Sequence, residues 1–135
     1  MEKKKKVIDA SVVMKWFTKE TNTDKAIAIK EEHVKGDILL ISPDLIFIEV
    51  LNGLRYKNHS EQALISVSKE LWNIELNIES FNETHLIKAI EIALKNNLTL
   101  YDALYVSIAN FHGVPLITAD KELYKLPNVL PLEKT

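Results

Sequence analysis

Apolar residues fall into short continuous runs separated by longer stretches with helical period. Lys6 to Asp9, Ile38 to Ser42 and Val114 to Thr118 are too short for helices and are bounded by charge, glycine or proline. Each therefore reads as a buried strand. Ile74 to Phe81 alternates apolar and polar residues, the period-two pattern of a half-exposed strand at a sheet edge. Asn128 to Leu130 offers a terminal strand.

The intervening stretches predict helices. Ser11 to Phe17 is a short one, and Thr23 or Asn22 caps another through Ala26, Ile27, Ile29 and Val34 that Gly36 closes. Pro43-Asp44 opens a helix through Leu45, Ile48, Leu51 and Leu54 to Arg55, with proline in the tolerated first turn. Ser60 caps a helix carrying Ala63, Leu64, Val67, Leu71 and Trp72. A helix beginning at Asn82 to His85 presents Leu86, Ile90, Ala93 and Leu94 as its apolar stripe. Thr99 caps the next, whose face of Ala103, Val106 and Ala109 stops at Gly113, and Lys121 to Leu126 makes a last short helix. Strands separated by helices require crossovers, so the expected fold is a three-layer α/β/α sandwich with a central, mostly parallel sheet. It is expected to form a single domain over 1–135, with 1–5 as a flexible tail.

Composition narrows the chemistry. The absence of cysteine excludes disulfides, thiolate zinc sites and a cysteine nucleophile. A net charge of −2 is not that of a polycation built for duplex DNA, so any nucleic-acid contact needs a local basic patch or a metal. No apolar run is long enough to span a bilayer. The lysines at 3–6 lead through Val7-Ile8 straight to Asp9, which is no signal-peptide core, and a cytoplasmic location is expected. The four histidines show no ligand-like i, i+4 spacing and are expected mostly on surfaces or loops, while Trp16 and Trp72 are expected in the core.

Four acids stand out by position. Asp9 ends the first strand, and Asp120 lies just beyond the Val114–Thr118 strand. Asp102 sits in the first turn of its helix among Leu100, Tyr101, Ala103 and Leu104, and Glu49 interrupts the apolar run Leu45 to Leu51. In a parallel α/β sheet, ligands gather outside the carboxyl ends of the strands. A carboxylate at a helix N-terminus is also favoured there by the dipole, which accounts for Asp102 on its own. Converging carboxylates, however, repel by roughly 4 kcal/mol per pair at 4 Å and an effective dielectric near 20. Such a group protonates in part or binds cations. Hard oxygen ligands without His or Cys favour Mg²⁺ or Mn²⁺, whose natural partners are phosphates. Phosphoryl transfer, with the metal activating water, is the matching chemistry.

Val7-Ile-Asp-Ala-Ser-Val-Val-Met-Lys-Trp-Phe17, Glu49-Val-Leu-Asn52, Tyr101-Asp-Ala-Leu-Tyr-Val106 and Leu116-Ile-Thr-Ala-Asp120 together resemble a PIN domain. The likeness is strongest to the short VapC-type toxins of bacterial and archaeal type II toxin–antitoxin pairs, and it covers nearly the whole chain. The resemblance implies a metal-dependent endoribonuclease using Mg²⁺ (or Mn²⁺). It implies that Asp9, Glu49, Asp102 and Asp120 are the catalytic, metal-holding quartet, with Asp9 and Asp102 the principal ligands. Ser11, Asn52 and Thr118 match supporting polar positions. The family often has a further Asp where this chain has Glu122, expected here as an exposed residue at a helix start. An RNA substrate, a cognate antitoxin protein and a homodimer are the implied partners. Alternatives are a PIN nuclease of RNA processing outside a toxin pair and a non-catalytic PIN scaffold, although the latter should lack one of the acids. A receiver domain would want an acidic pair after the first strand, and a haloacid-dehalogenase-like phosphatase an Asp at position 11; this chain has Ala10-Ser11.

Other residues have simpler readings. Lys15 could reach an RNA phosphate near Asp9, but a lysine snorkelling beside a core Trp16 is the better reading of the two. Tyr101 and Tyr105, beside Asp102, are candidates for lining a substrate groove.

Overall fold

The computed structural model describes residues 3–135. Strands β1 (Lys4–Ile8), β2 (Ile38–Pro43), β3 (Asn77–Glu79), β4 (Leu116–Thr118) and β5 (Val129–Pro131) form one sheet in the order β3-β2-β1-β4-β5. Every pairing is parallel, for example Val7 opposite both Ile41 and Leu116. The helices are α1 (Ala10–Val13, continued as a 3-10 turn to Trp16), α2 (Thr23–Lys35), α3 (Leu45–Arg55), α4 (Glu61–Asn73), α5 (Glu83–Asn96) and α6 (Leu100–His112). They flank the sheet as an α/β/α sandwich. No helix among the described residues is long and apolar enough to cross a membrane.

The strand order makes Asp9 and Asp120 neighbours. From β1 the chain moves outward through β2 to β3, then returns to place β4 on the other side of β1. The carboxyl ends of β1 and β4 therefore flank the topological switch point, where neighbouring connections leave in opposite directions and open a crevice.

Local chemistry sets the element ends. Ser60 Oγ accepts from Ala63 N at 3.1 Å to start α4. Asn82 Oδ1 accepts from His85 N at 2.9 Å while His85 Nδ1 accepts from Asn82 N at 3.1 Å, a reciprocal cap on α5. Gly113 ends α6 at φ +63°, in the left-handed region that favours glycine.

Helix α6 is the central helix: Ala103 through Ala109 are all buried, and the helix contacts β1, β2, β4 and α5. Trp16 is buried as expected, its Nε1 donating to Ala26 O at 2.8 Å.

Several expectations need correction. Lys4 and Lys5 belong to β1, paired with Ile38 and Leu39, and so are not part of a flexible tail; Met1 and Glu2 lie outside the described residues. Pro43 closes β2 instead of opening α3, opposite Glu79 in β3 where its missing N–H is tolerated near the strand end. The edge strand spans only Asn77–Glu79, and the last helix is a 3-10 turn, Lys121–Leu123. His85 is buried as part of the α5 cap. Trp72 is 61% exposed and stacks on Phe47 with centroids 4.0 Å apart, because Leu71 takes the inward position of α4. Helix α5 turns His85, Ala89 and Ala93 inward, leaving Leu86, Ile90 and Leu94 outside. Small side chains let α5 and α6 pack closely, and size alone misleads about which stripe is buried.

Candidate active site

Asp9 is the N-cap of α1, with extended backbone and 4% exposure. Its Oδ1 accepts from Ser11 Oγ at 2.5 Å and from Val12 N at 3.4 Å, and its Oδ2 accepts from Thr118 Oγ1 at 2.5 Å. Each hydroxyl also accepts one backbone bond: Ser11 Oγ from Ala119 N at 2.9 Å and Thr118 Oγ1 from Asp120 N at 3.0 Å. Both hydroxyl protons are thereby committed to Asp9, so the 3.3 Å approach of the two oxygens is a contact without a proton of its own. The network ties the end of β1 to the end of β4.

Thr118 is buried because it completes β4. Asp120, two residues on, caps the following 3-10 turn by accepting from Glu122 N at 3.0 Å. Asp102 lies in the first turn of α6, and its backbone N–H donates to Thr99 Oγ1 at 3.1 Å. Glu49 is on α3, half-buried, with Oε1 shielded from solvent and lacking a hydrogen-bond partner.

The four acids come from four different segments and share one electrostatic environment, with Asp102 at its hub. Burial raises the Asp9 carboxyl from the ordinary 3.8 to about 6; bonds from Ser11, Thr118 and Val12 oppose the rise, and the Asp102 charge adds to it. Glu49 is raised by burial and again by Asp102, with Tyr105 opposing. Asp102 is raised by burial, then by Asp120, and by Glu122 after the opposing effect of Thr99. Glu122 is exposed as expected, yet its charge reaches this site.

Tyr105 corrects its expected place in a groove: it is 1% exposed, whereas Tyr101 is 59% exposed. Burial and the Glu49 charge both push its phenol upward, keeping it neutral. Its hydroxyl and Glu49 Oε1 are both buried without a hydrogen bond of good geometry, although the two groups lie close enough to influence each other's protonation. Tyr105 is one helical turn from Asp102, the spacing that could have identified this floor. Asn52, also expected as a supporting residue, is exposed and makes no side-chain hydrogen bond among the described residues.

Among the described residues, no three His, Asp or Glu side chains already form a cage for an ion. The donor set nevertheless fits a hard divalent cation. It is all oxygen, the Asp102 charge raises the proton affinity of Asp9 and Glu49 as Asp120 raises that of Asp102, and Glu49 Oε1 has unused acceptor capacity. The hydrogen bonds to Asp9 occupy part of its lone-pair capacity and leave the rest for a ligand.

The model for the PIN domain matches residues 6–129. Ribonuclease VapC3 of Pyrobaculum aerophilum is 32% identical over 127 residues, covering 88% of this chain and 92% of that protein. Among solved structures, PAE2754 from Pyrobaculum aerophilum superposes with a TM-score of 0.71 at 23% identity, covering 98% of this chain and 93% of that one. A toxin-antitoxin complex from Klebsiella pneumoniae gives a TM-score of 0.66 at 16% identity, with 93% and 96% covered. VapBC2 from Rickettsia felis, bound to a DNA fragment from their promoter, gives 0.67 at 17% identity, with 94% and 96% covered. At these identities the structural likenesses establish the shared fold.

Proposed function

The chain belongs to the PIN-domain family, and from that premise we propose that it is a metal-dependent endoribonuclease, the toxin of a toxin–antitoxin pair acting in the cytoplasm. The observation that carries the reading is the coupling of Asp9, Glu49 and Asp120 through Asp102 at the switch point of the sheet. Mutual repulsion of this kind is relieved by a divalent cation. The 32% identity to a ribonuclease along nearly the whole chain supports the choice of RNA.

In this reading Asp9, Glu49, Asp102 and Asp120 hold Mg²⁺ or Mn²⁺. The chemistry supplied by the bound cation is activation of water and neutralisation of charge on the phosphodiester as it is attacked in line. The protein's own contribution is preorganisation. Ser11 and Thr118 fix the rotation of the Asp9 carboxylate, and by favouring its charged form they oppose the proton that burial would place there. Thr99 and the N-terminal dipole of α6 likewise favour the charged form of Asp102. Tyr105 closes the floor as a neutral group.

The partners follow from the same premise. The Klebsiella pneumoniae and Rickettsia felis neighbours are described as toxin–antitoxin assemblies, which supports a cognate antitoxin for this chain. Exposed Leu86, Ile90 and Leu94 on α5, with Phe111 on α6, support a homodimer, since monomers rarely expose a whole apolar stripe.

The test is cleavage of a mixed RNA substrate with Mg²⁺ or Mn²⁺ by wild type, Asp9→Asn and Asp102→Asn. Cleavage by wild type alone, abolished by EDTA, is expected. Undiminished activity in EDTA, or in both variants, refutes the mechanism.

A further inference from the structure

A lysine-lined groove adjoins the acids on the far side of Ser11. Two cavities of about 240 and 330 Å³ share Lys15 and Ala119 in their walls. The first continues past Ser11 to Glu20 and Lys57, the second to Lys121, Tyr124 and Glu133. Ser11 links groove and site directly, since its hydroxyl donates to Asp9 and accepts from Ala119 N. Helix α3 joins them a second time: Glu49 and Gly53 share one face, and Lys57 follows Gly53 within about one turn.

The cations here are positioned. The Lys15 side chain is only 12% exposed, and its Nζ donates to Thr21 O at 2.9 Å. Glu20 Oε1 stands 2.7 Å from Lys57 Nζ and 3.9 Å from Lys15 Nζ. A carboxylate oxygen held between two ammonium groups occupies the place that a non-bridging phosphate oxygen would take.

We infer that this groove is the track for the backbone of single-stranded RNA: Lys57 and Lys15 bind one phosphate, Lys121 binds another on the other side of Ala119, and Glu20 holds the first position in the free protein. The inference rests on the nuclease reading and deepens it by naming the residues that position the substrate. Four acids and a net charge of −2 repel a polyanion, so RNA must gain affinity from cations beside the site. Lysines on both sides of the shared Ala119 wall match the repeating charge of a strand better than the isolated carboxylates of an acidic peptide. Tyr124, in the wall of the second cavity, offers a ring on which a base can stack.

The experiment is fluorescence anisotropy of a short unstructured RNA in EDTA across a salt series. It compares wild type with Lys57→Gln, Lys121→Gln and Glu20→Gln, and with Lys88→Gln on α5 as control. Each groove lysine variant is expected to weaken binding about three- to tenfold and to lower the slope of log K against log salt by about 0.7. Glu20→Gln is expected to tighten binding, and Lys88→Gln to leave it unchanged. Thermal melts confirm that each variant is folded. Wild-type affinity and slope in both Lys57→Gln and Lys121→Gln overturn the inference, as does an absence of RNA binding by wild type. Loss of affinity for a protein partner in the lysine variants, with RNA binding unaltered, also overturns it and assigns the groove to an acidic peptide. RNA cleavage without lysine dependence removes this inference alone, whereas lysine-dependent binding without cleavage removes the nuclease reading alone.

Discussion

Thr118 donates its hydroxyl proton to Asp9 Oδ2 at 2.5 Å, although 109 residues of sequence separate the two. The same hydroxyl accepts from Asp120 N, so one side chain in β4 orients one acid and fixes the backbone of another. Replacing it with the isosteric Thr118→Val leaves a buried carboxylate oxygen and a backbone N–H each short of a partner. Each unsatisfied group costs about 1–3 kcal/mol. Denaturant unfolding is expected to show a loss of about 2–4 kcal/mol, with RNA cleavage falling as well. Wild-type stability in Thr118→Val would remove this bond from the account.

Asp9 makes stability fall as pH rises. Its carboxyl titrates at about 6 in the folded protein against 3.8 ordinarily, so between these values the native state holds a proton that the unfolded chain has lost. The stability associated with that proton is complete below pH 3.8 and gone once pH has risen through about 6. At about 1.4 kcal/mol per pH unit this amounts to about 3 kcal/mol. Burial raises Glu49 and Asp102 in the same sense. Urea unfolding from pH 4 to 7 in EDTA should show the decline, and a flat profile would contradict it.

Asp9→Asn is expected to stabilise the metal-free protein while abolishing activity. Removing the buried charge at pH 7 returns up to about 3 kcal/mol. The amide cannot accept from both hydroxyls through its NH₂ end, and one lost hydrogen bond costs about 1 kcal/mol. The net gain of about 1–2 kcal/mol is measurable as a higher Tm in EDTA. A lower Tm would show that the hydrogen bonds outweigh the charge.

The fold was legible because its signals are local. Strand β2 and the buried ends of β1 and β4 show as apolar runs, while Ser60, Asn82, Thr99 and Gly113 mark helix ends through their own chemistry. Acidic positions at strand and helix ends were legible for the same reason. The orientation of α5 was not, because inward alanines owe their burial to a close approach by α6 that sequence does not display. Nor was the Lys15–Glu20–Lys57 arrangement, which joins a turn after α1 to the end of α3 through tertiary contact. The burial of Tyr105 is not legible in sequence, because a tyrosine beside an acid suits a groove as readily as a floor; only packing distinguishes them.

Tyr105→Phe tests that floor. The hydroxyl is buried without a well-formed hydrogen bond, so its removal is expected to leave stability unchanged or raise it by about 1 kcal/mol. A clear fall in denaturant unfolding would reveal a working bond to Glu49.

The central claim is that carboxylates from four segments hold one divalent site. Its most direct test is calorimetric titration of Mn²⁺ into wild type, Asp102→Asn and Glu49→Gln at pH 7.5, without RNA. Saturable binding by wild type, weakened at least about tenfold in Asp102→Asn and measurably in Glu49→Gln, is the predicted result. Wild-type Mn²⁺ affinity in Asp102→Asn would contradict it.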